Sequence, residues 1–269
     1  MARGGVVRKT VSDAAVVLRT GALGEADRLV TVLLREVGKV RCAARGARKS
    51  RRRFAGGLGP GVRGRAEVAL APRGLARLLS FEAALGAQAL GRDLEVFACT
   101  AYLAELTDAL VAEQDPDPAL FDALSDALDG LAREGADPCW LRRYELRLLV
   151  ALGAMPALDR CAVCGGAARG EAVAFAWDRG GALCSVHADG AATIAANDLA
   201  GVARVAAWSG GAPAPAFDAR QAAFVRAFCQ RGLARHLRRP LRSLDALRAL
   251  VRGGRRPATA RAGTDGPDG

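Results

Sequence analysis

Aromatic residues make up only 5% of the 269 positions, and the chain has just two histidines and three lysines, Lys9, Lys39 and Lys49. So few rings exclude a nucleic-acid surface built chiefly on base stacking, which needs an aromatic face for each base it holds. Acidic residues are scarce at one end. Residues 1–80 carry 18 Lys and Arg against 5 Asp and Glu, a charge of +13, while the remainder carries 21 against 23, a charge of −2. No uncharged apolar run of about 18 residues occurs, and the opening MARGGVVRKTVSD lacks the apolar centre of a signal peptide. A cytoplasmic protein without a membrane span is therefore expected. Phosphate loops of the GxxxxGKS or GxxxxGKT type are absent, and acidic residues are scattered rather than clustered for metal catalysis, so the chain reads as a binding protein and not an enzyme. Seven cysteines, an odd number, argue against a disulfide framework in a chain this long.

What the sequence does have is arginine, concentrated in one stretch. Residues 45–53 hold six cations in nine positions: Arg45, Arg48, Lys49, Arg51, Arg52 and Arg53. Guanidinium groups at this density cannot shed their water without partners, so the segment must face solvent or a polyanion. The plain alternative is a solvated loop that aids solubility. Against it stands the lack of neighbouring carboxylates, which favours nucleic acid as the partner. Arg28, Lys39 and Arg41, on the adjoining strand patterns, complete the candidate DNA contacts. Phe54 is the one ring beside these charges, so stacking is expected to be a minor term.

With 51% apolar and 25% charged residues, the chain can bury a core large enough for two domains. Period-two patterns predict strands over 11–20, 28–34, 39–44, 65–71 and 75–81, with turns at 21–27 and at Pro72-Arg73-Gly74. Five short strands in about 80 residues suit a small closed barrel of the OB-fold type, although an SH3-like barrel fits the same pattern. Beyond Arg92 the period becomes helical. Leu94, Phe97, Ala101, Leu103, Leu106 and Leu110 mark a first helix, read as core-facing, and the Asp115–Pro118 segment breaks it. A second helix passes through Leu120, Phe121, Leu124, Leu128 and Leu131, and a third runs from Trp140 to Leu152. Arg142, Arg143 and Arg147 fall on the other faces of the third, where they either extend a basic surface or are solvated. Further helices are predicted over 199–208, 217–237 and 241–251. The expected class is α+β: an OB-fold domain over 1–82, a mostly helical domain over 83–252 with an inserted zinc knuckle at 161–187, and a disordered tail over 253–269.

The knuckle is the sharpest local motif. Cys161-Ala-Val-Cys164 and Cys184-Ser-Val-His187 each place two residues between soft ligands, and nineteen residues separate Cys164 from Cys184. That spacing lets each pair turn onto one ion, giving a closed tetrahedron of three thiolates and one imidazole around a structural Zn2+. A redox Cys-x-x-Cys is the competing reading, though it needs no second pair. Cys42, Cys99, Cys139 and Cys229 lie in apolar patterns and are expected in the core, and His236 is read as a cap of helix-end carbonyls.

Several stretches taken together, VVLRTGALGEADRLVTVLLREVGKVRCAARGARKSRRRFAGGL, CAVCGG, GGALCSVH and HLRRPLRSLDAL, resemble the RecO family of bacterial DNA repair and recombination mediators, over nearly the whole chain to about Arg252. The resemblance implies an N-terminal OB-fold, a helical domain with a zinc motif, and a role in loading the RecA recombinase at single-stranded gaps through the RecFOR pathway. It implies binding and annealing of single- and double-stranded DNA, a place at the nucleoid, and two protein partners. These are the ring protein RecR on the barrel side and the acidic C-terminal tail of single-stranded DNA-binding protein on the helical domain. Family members commonly present four cysteines to the metal, whereas the fourth position here is His187. The rival reading from the residues alone is a zinc-containing RNA-binding or transcription-associated adaptor.

Overall fold

The computed structural model describes residues 9–50, 52–71, 74–84, 93–210 and 213–253. Its first five strands, β1 (Thr10–Leu23), β2 (Asp27–Leu34), β3 (Gly38–Ala44), β4 (Arg63–Ala69) and β5 (Ala76–Ala83), close into a barrel in the order β1-β2-β3-β5-β4. All neighbours are antiparallel except β3 and β5, whose parallel pairing of Cys42 with Ala76 and Ala43 with Arg77 completes the ring. This OB-like closure leaves no long open sheet edge. Alternation sends Ala15, Val17, Val30, Val32, Val40, Cys42, Val68 and Leu78 inward, and Phe81 fills the interior with them.

The first strand is longer than its sequence suggests. Gly21, Ala22 and Leu23, expected in a turn, pair with Leu29, Arg28 and Asp27, so the turn shrinks to residues 24–26. Cross-strand pairing outweighs the weak strand preference of Gly and Ala here. Register slips between Val17 and Arg19, a bulge at Leu18, which packs on the outer face of the barrel with Val16. Of the expected turn at residues 72–74, Pro72 and Arg73 lie outside the described residues, while Gly74 adopts φ 80°. The tail beyond residue 253 also lies outside them.

Three helices follow: α1 (Leu94–Leu110), α2 (Pro118–Glu134) and α3 (Pro138–Ala151). Each starts at an aspartate, Asp93, Asp117 or Asp137, whose carboxylate accepts a backbone N–H of the first turn, and Pro118 and Pro138 occupy first positions that lack a partner for an N–H anyway. Gly130 lets α2 meet α3, because a Cβ there would lie 1.9 Å from Cε2 of Trp140. Two expectations change on packing. Leu94 and Phe97 are 64% and 49% exposed, not core, because the buried face of α1 is set by Val96, Cys99, Leu103 and Leu106. Nor do the α3 arginines form a basic surface. Arg142 is buried and pairs with fully buried Glu145 at 2.8 Å, Arg143 reaches Asp126 at 3.2 Å, and Arg147 reaches Asp117 at 3.5 Å.

A small sheet, β7-β6-β8, comes next, built from β6 (Ala172–Ala176), β7 (Gly181–Leu183) and β8 (Ala192–Ala195), the last unforeseen in a run of alanine and polar residues. Helices α4 (Ala196–Ala207), α5 (Ala219–Ala234) and α6 (Arg242–Gly253) finish the described chain.

Barrel and helices share one apolar core, since Val16, Leu18 and Leu33 pack in the same cluster as Tyr102, Phe121 and Leu124. Polar struts reinforce the junction. Arg35 grips Asp122 with two hydrogen bonds of 2.9 and 2.8 Å, and Arg63 forms a second two-pronged pair with Asp129. The β2–β3 turn needs Gly38, with φ 83°, because a Cβ there would stand 2.7 Å from the backbone of Asp115. No described helix is long and apolar enough to cross a membrane.

Candidate nucleic-acid surface and metal centre

The basic stretch forms the connection between β3 and β4, and its backbone is fastened to the barrel. Gly46 donates its N–H to Oδ1 of Asp27 at 2.7 Å, and Arg48 donates to the carbonyl of Ala26 at 3.1 Å. Lys49 and Ser50 both donate to the carbonyl of Gly46, closing a tight turn, and Arg53 donates its N–H to Oγ of Ser50 at 3.3 Å. These bonds set the loop at the barrel end that also carries the β1–β2 turn. A fixed backbone with outward cations loses less entropy on meeting a polyanion than a floppy one.

The charges themselves face water. Arg28, Arg45, Arg48, Lys49, Arg52 and Arg53 are exposed, and none of them has an ion-pair partner among the described residues. Arg53 is the most constrained, donating Nη2 to the carbonyl of Arg45 at 2.7 Å with its guanidinium 5.2 Å from the ring centroid of Phe54. Phe54 is itself 5% exposed and packed into the barrel interior, so it carries no free face for a base. Arg51 lies outside the described residues.

Two of the other expected contacts sit apart from this group. Lys39 is a correction: its side chain is buried, with Nζ donating to the carbonyl of Asp108 at 2.6 Å and lying 3.7 Å from that residue's carboxylate. A lysine placed to neutralise α1 from inside the junction is not available to an external phosphate. Arg41 points outward from the middle of β3, 3.9 Å from Glu113. It lines a groove with Arg19 of β1, Asp108 and Ala109 of α1, Glu113, and Arg238 and Arg239 of the segment between α5 and α6. The last two arginines and Arg19 were not grouped by sequence reasoning. Only folding brings positions so far apart in the chain together.

Cys161, Cys164, Cys184 and His187 do converge, with ligand atoms all within 4.8 Å of one another. Sγ of Cys164 and Cys184 are 3.8 Å apart, and Nδ1 of His187 lies 3.6 Å from Sγ of Cys161 and 3.2 Å from Sγ of Cys184. A tetrahedral zinc with bonds of about 2.3 Å to sulfur and 2.0–2.1 Å to nitrogen would set edges of about 3.8 Å between sulfurs and 3.6 Å between sulfur and nitrogen. The four side chains fit such an ion, with Nδ1 of His187 in the fourth position.

Local backbone bonds make that geometry. Gly165 donates to the carbonyl of Cys161 at 2.8 Å, Cys161 donates to the carbonyl of Gly166 at 2.7 Å, and His187 donates to the carbonyl of Cys184 at 2.9 Å, so each pair sits in its own tight turn. Ala162 donates to the carbonyl of Ala182 at 2.8 Å, which ties the first turn to β7, just before the second. The N–H of Cys184, helped by those of Cys164 and Val163, lowers the Cys161 thiol to about 5. The bond to His187 lowers Cys184 as well. Both groups thus favour the thiolate form that binds metal. The remaining thiols, Cys42, Cys99, Cys139 and Cys229, are buried. Burial pushes Cys42 up to about 12, and Cys99 and Cys139 to about 11, as expected of inert core residues.

Comparison with known proteins covers both halves. Residues 8–85 match the family model "Recombination protein O N terminal", and residues 91–245 match "Recombination protein O C terminal". The DNA repair protein RecO of Myxococcus xanthus (strain DK1622) is 36% identical over 236 residues, which is 87% of this chain and 95% of that protein. The protein of the same name from Anaeromyxobacter dehalogenans (strain 2CP-C) is 41% identical over 249 residues, 88% of this chain and 97% of that one. That of Geobacter sulfurreducens is 34% identical over 237 residues, covering 88% and 97%.

Proposed function

The chain belongs to the RecO family of DNA repair proteins, and from that premise we propose that it acts in homologous recombination as a mediator that binds single- and double-stranded DNA, anneals complementary strands and assists RecA loading on gaps. The observation that carries the reading is the anchored β3–β4 loop, whose exposed cations have no ion-pair partner among the described residues. Annealing requires that phosphate repulsion between two strands be neutralised while base edges stay free to pair. Guanidinium groups serve this by gripping phosphate oxygens and reading no sequence. The burial of Phe54 points the same way, because bases stacked on protein rings would be withheld from pairing.

Zn2+ at Cys161, Cys164, Cys184 and His187 is structural in this proposal: four protein ligands close the shell and leave no position for water. Single-stranded DNA-binding protein, through its acidic tail, and RecR are the proposed protein partners, and the nucleoid in the cytoplasm is the proposed site of action.

Annealing of complementary oligonucleotides precoated with single-stranded DNA-binding protein tests the proposal. The natural chain is compared with a variant carrying Arg48, Lys49, Arg51, Arg52 and Arg53 as alanine. Rapid annealing that falls at least tenfold in the variant, with an unchanged melting curve, is the expected result, roughly the loss of a few phosphate contacts. A well-folded natural chain that anneals nothing, and that binds RNA and DNA equally, would shift the reading to an RNA-binding adaptor.

A further inference from the structure

The groove between the barrel and the α5–α6 segment gathers four arginines and two carboxylates away from the loop. Thr31 of β2 pairs with Arg19 on one side and Arg41 on the other, so the two guanidiniums flank it from strands each about 4.8 Å away. Their side chains are 50% and 46% exposed. Arg238 and Arg239 close the opposite wall, exposed and without an ion pair or hydrogen bond among the described residues, although Arg239 lies near enough to Glu105 to favour its charged form. Of the two carboxylates in the lining, Asp108 is engaged by Arg19 at 3.4 Å and by Lys39 at 3.7 Å, and Glu113 stands 3.9 Å from Arg41. Four arginines against two acids leave a net positive wall.

We propose that this groove is a second phosphate-binding segment, which carries a nucleic-acid backbone from the β3–β4 loop across β3 and onto the helical region. The placement supports a continuous path. Arg45 begins the loop four residues beyond Arg41 along the same strand direction, a distance of about 13 Å. The chemistry separates a phosphodiester backbone from an acidic peptide, since a peptide site normally adds apolar pockets for side chains. Here the only apolar lining residue among the described ones is Ala109. Planar guanidiniums on both walls suit tetrahedral phosphate oxygens and need nothing from the bases. The composite site makes the nucleic-acid contact depend on the seating of the α5–α6 segment on the barrel.

This inference rests on the nucleic-acid reading of the loop, and the test separates the two. Binding of a labelled oligothymidylate to the full chain is followed between about 50 and 200 mM salt for the natural chain, the loop variant and an R238A/R239A variant. Loss of two phosphate contacts is expected to lower the slope of log affinity against log salt by about 1.4 in R238A/R239A, and R238K/R239K should restore most of it. An unchanged slope in R238A/R239A, with a reduced slope in the loop variant, overturns the groove and leaves the loop standing. The converse pattern upholds the groove and removes the loop. Retention of oligothymidylate binding by R238A/R239A together with lost binding of an acidic peptide would assign the groove to a protein partner and overturn the proposal.

Discussion

His187 is the residue whose chemistry departs most from a four-cysteine metal site. An imidazole nitrogen replaces a thiolate, so the shell carries one negative charge fewer, and Nδ1 rather than Nε2 faces the thiols. The cost in affinity is limited because two of the three thiols are already preset, Cys161 and Cys184 being held toward the thiolate by backbone N–H groups and the imidazole. One equivalent of zinc per chain is therefore expected by elemental analysis. Cys161→Ser should lose it, and His187→Cys should keep it, since sulfur reaches the same corner of the tetrahedron. Structural zinc binding is worth about 10–16 kcal/mol in small peptides, so removal by a chelator should unfold the lobe that carries the four ligands. Hydrogen exchange would show this as lost protection in β6–β8 with the barrel unaffected. Metal-free protein with full protection there would refute a structural role.

Helix α6 illustrates how an element is held by a distant side chain. Its first turn has no aspartate cap of its own, and Glu105 of α1 supplies the acceptor instead, taking the N–H of Ser243 at 2.8 Å, the Ser243 hydroxyl at 2.5 Å and the N–H of Arg242 at 3.3 Å. A carboxylate at a helix N-terminus also meets the positive end of the helix dipole. Burial on its own would raise this group, but the Ser243 and Arg242 bonds prevail and hold it below the usual glutamate range. A lowered native pKa means the stabilisation is complete above the unfolded value of about 4.3 and fades as pH falls through the native one. Glu105→Ala should cost about 1–2 kcal/mol at pH 7, as for loss of a cap, and the difference from the natural chain should shrink in acid. Urea unfolding at pH 7 and at pH 3 checks both; an equal difference at both values would show that the carboxylate charge is irrelevant. The existence of α6 was legible in its apolar spacing, and so were α1–α3, because their aspartate and proline starts are local signals. The ends of β1, the exposed Leu94 and Phe97, and β8 were not, since pairing and burial across the fold decide them.

At the scale of the molecule, charge is partitioned: the barrel holds the excess of cations and the helical region is close to neutral. The loop was readable because its six cations are neighbours in sequence, and the cluster of Cys161, Cys164, Cys184 and His187 because its spacing is local. By contrast, the diversion of Lys39 into the junction and the convergence of Arg19, Arg41, Arg238 and Arg239 depend on how barrel and helices dock. Docking also decides how many cations a polyanion can meet. Arg28, Arg45, Arg48, Lys49, Arg52 and Arg53 are six exposed ones without an ion-pair partner on the described surface around the loop. If each neutralises one phosphate, log affinity should fall against log salt with a slope of about −5 on duplex and about −4 on single strands. Duplex affinity would then drop by about three orders of magnitude between 50 and 200 mM salt. Single-strand slopes steeper than −4 would require cations beyond the loop, and the groove is where the fold offers them. A slope near zero on both would mean that the positive field of the barrel does not meet phosphate at all, whatever the affinity at one salt concentration.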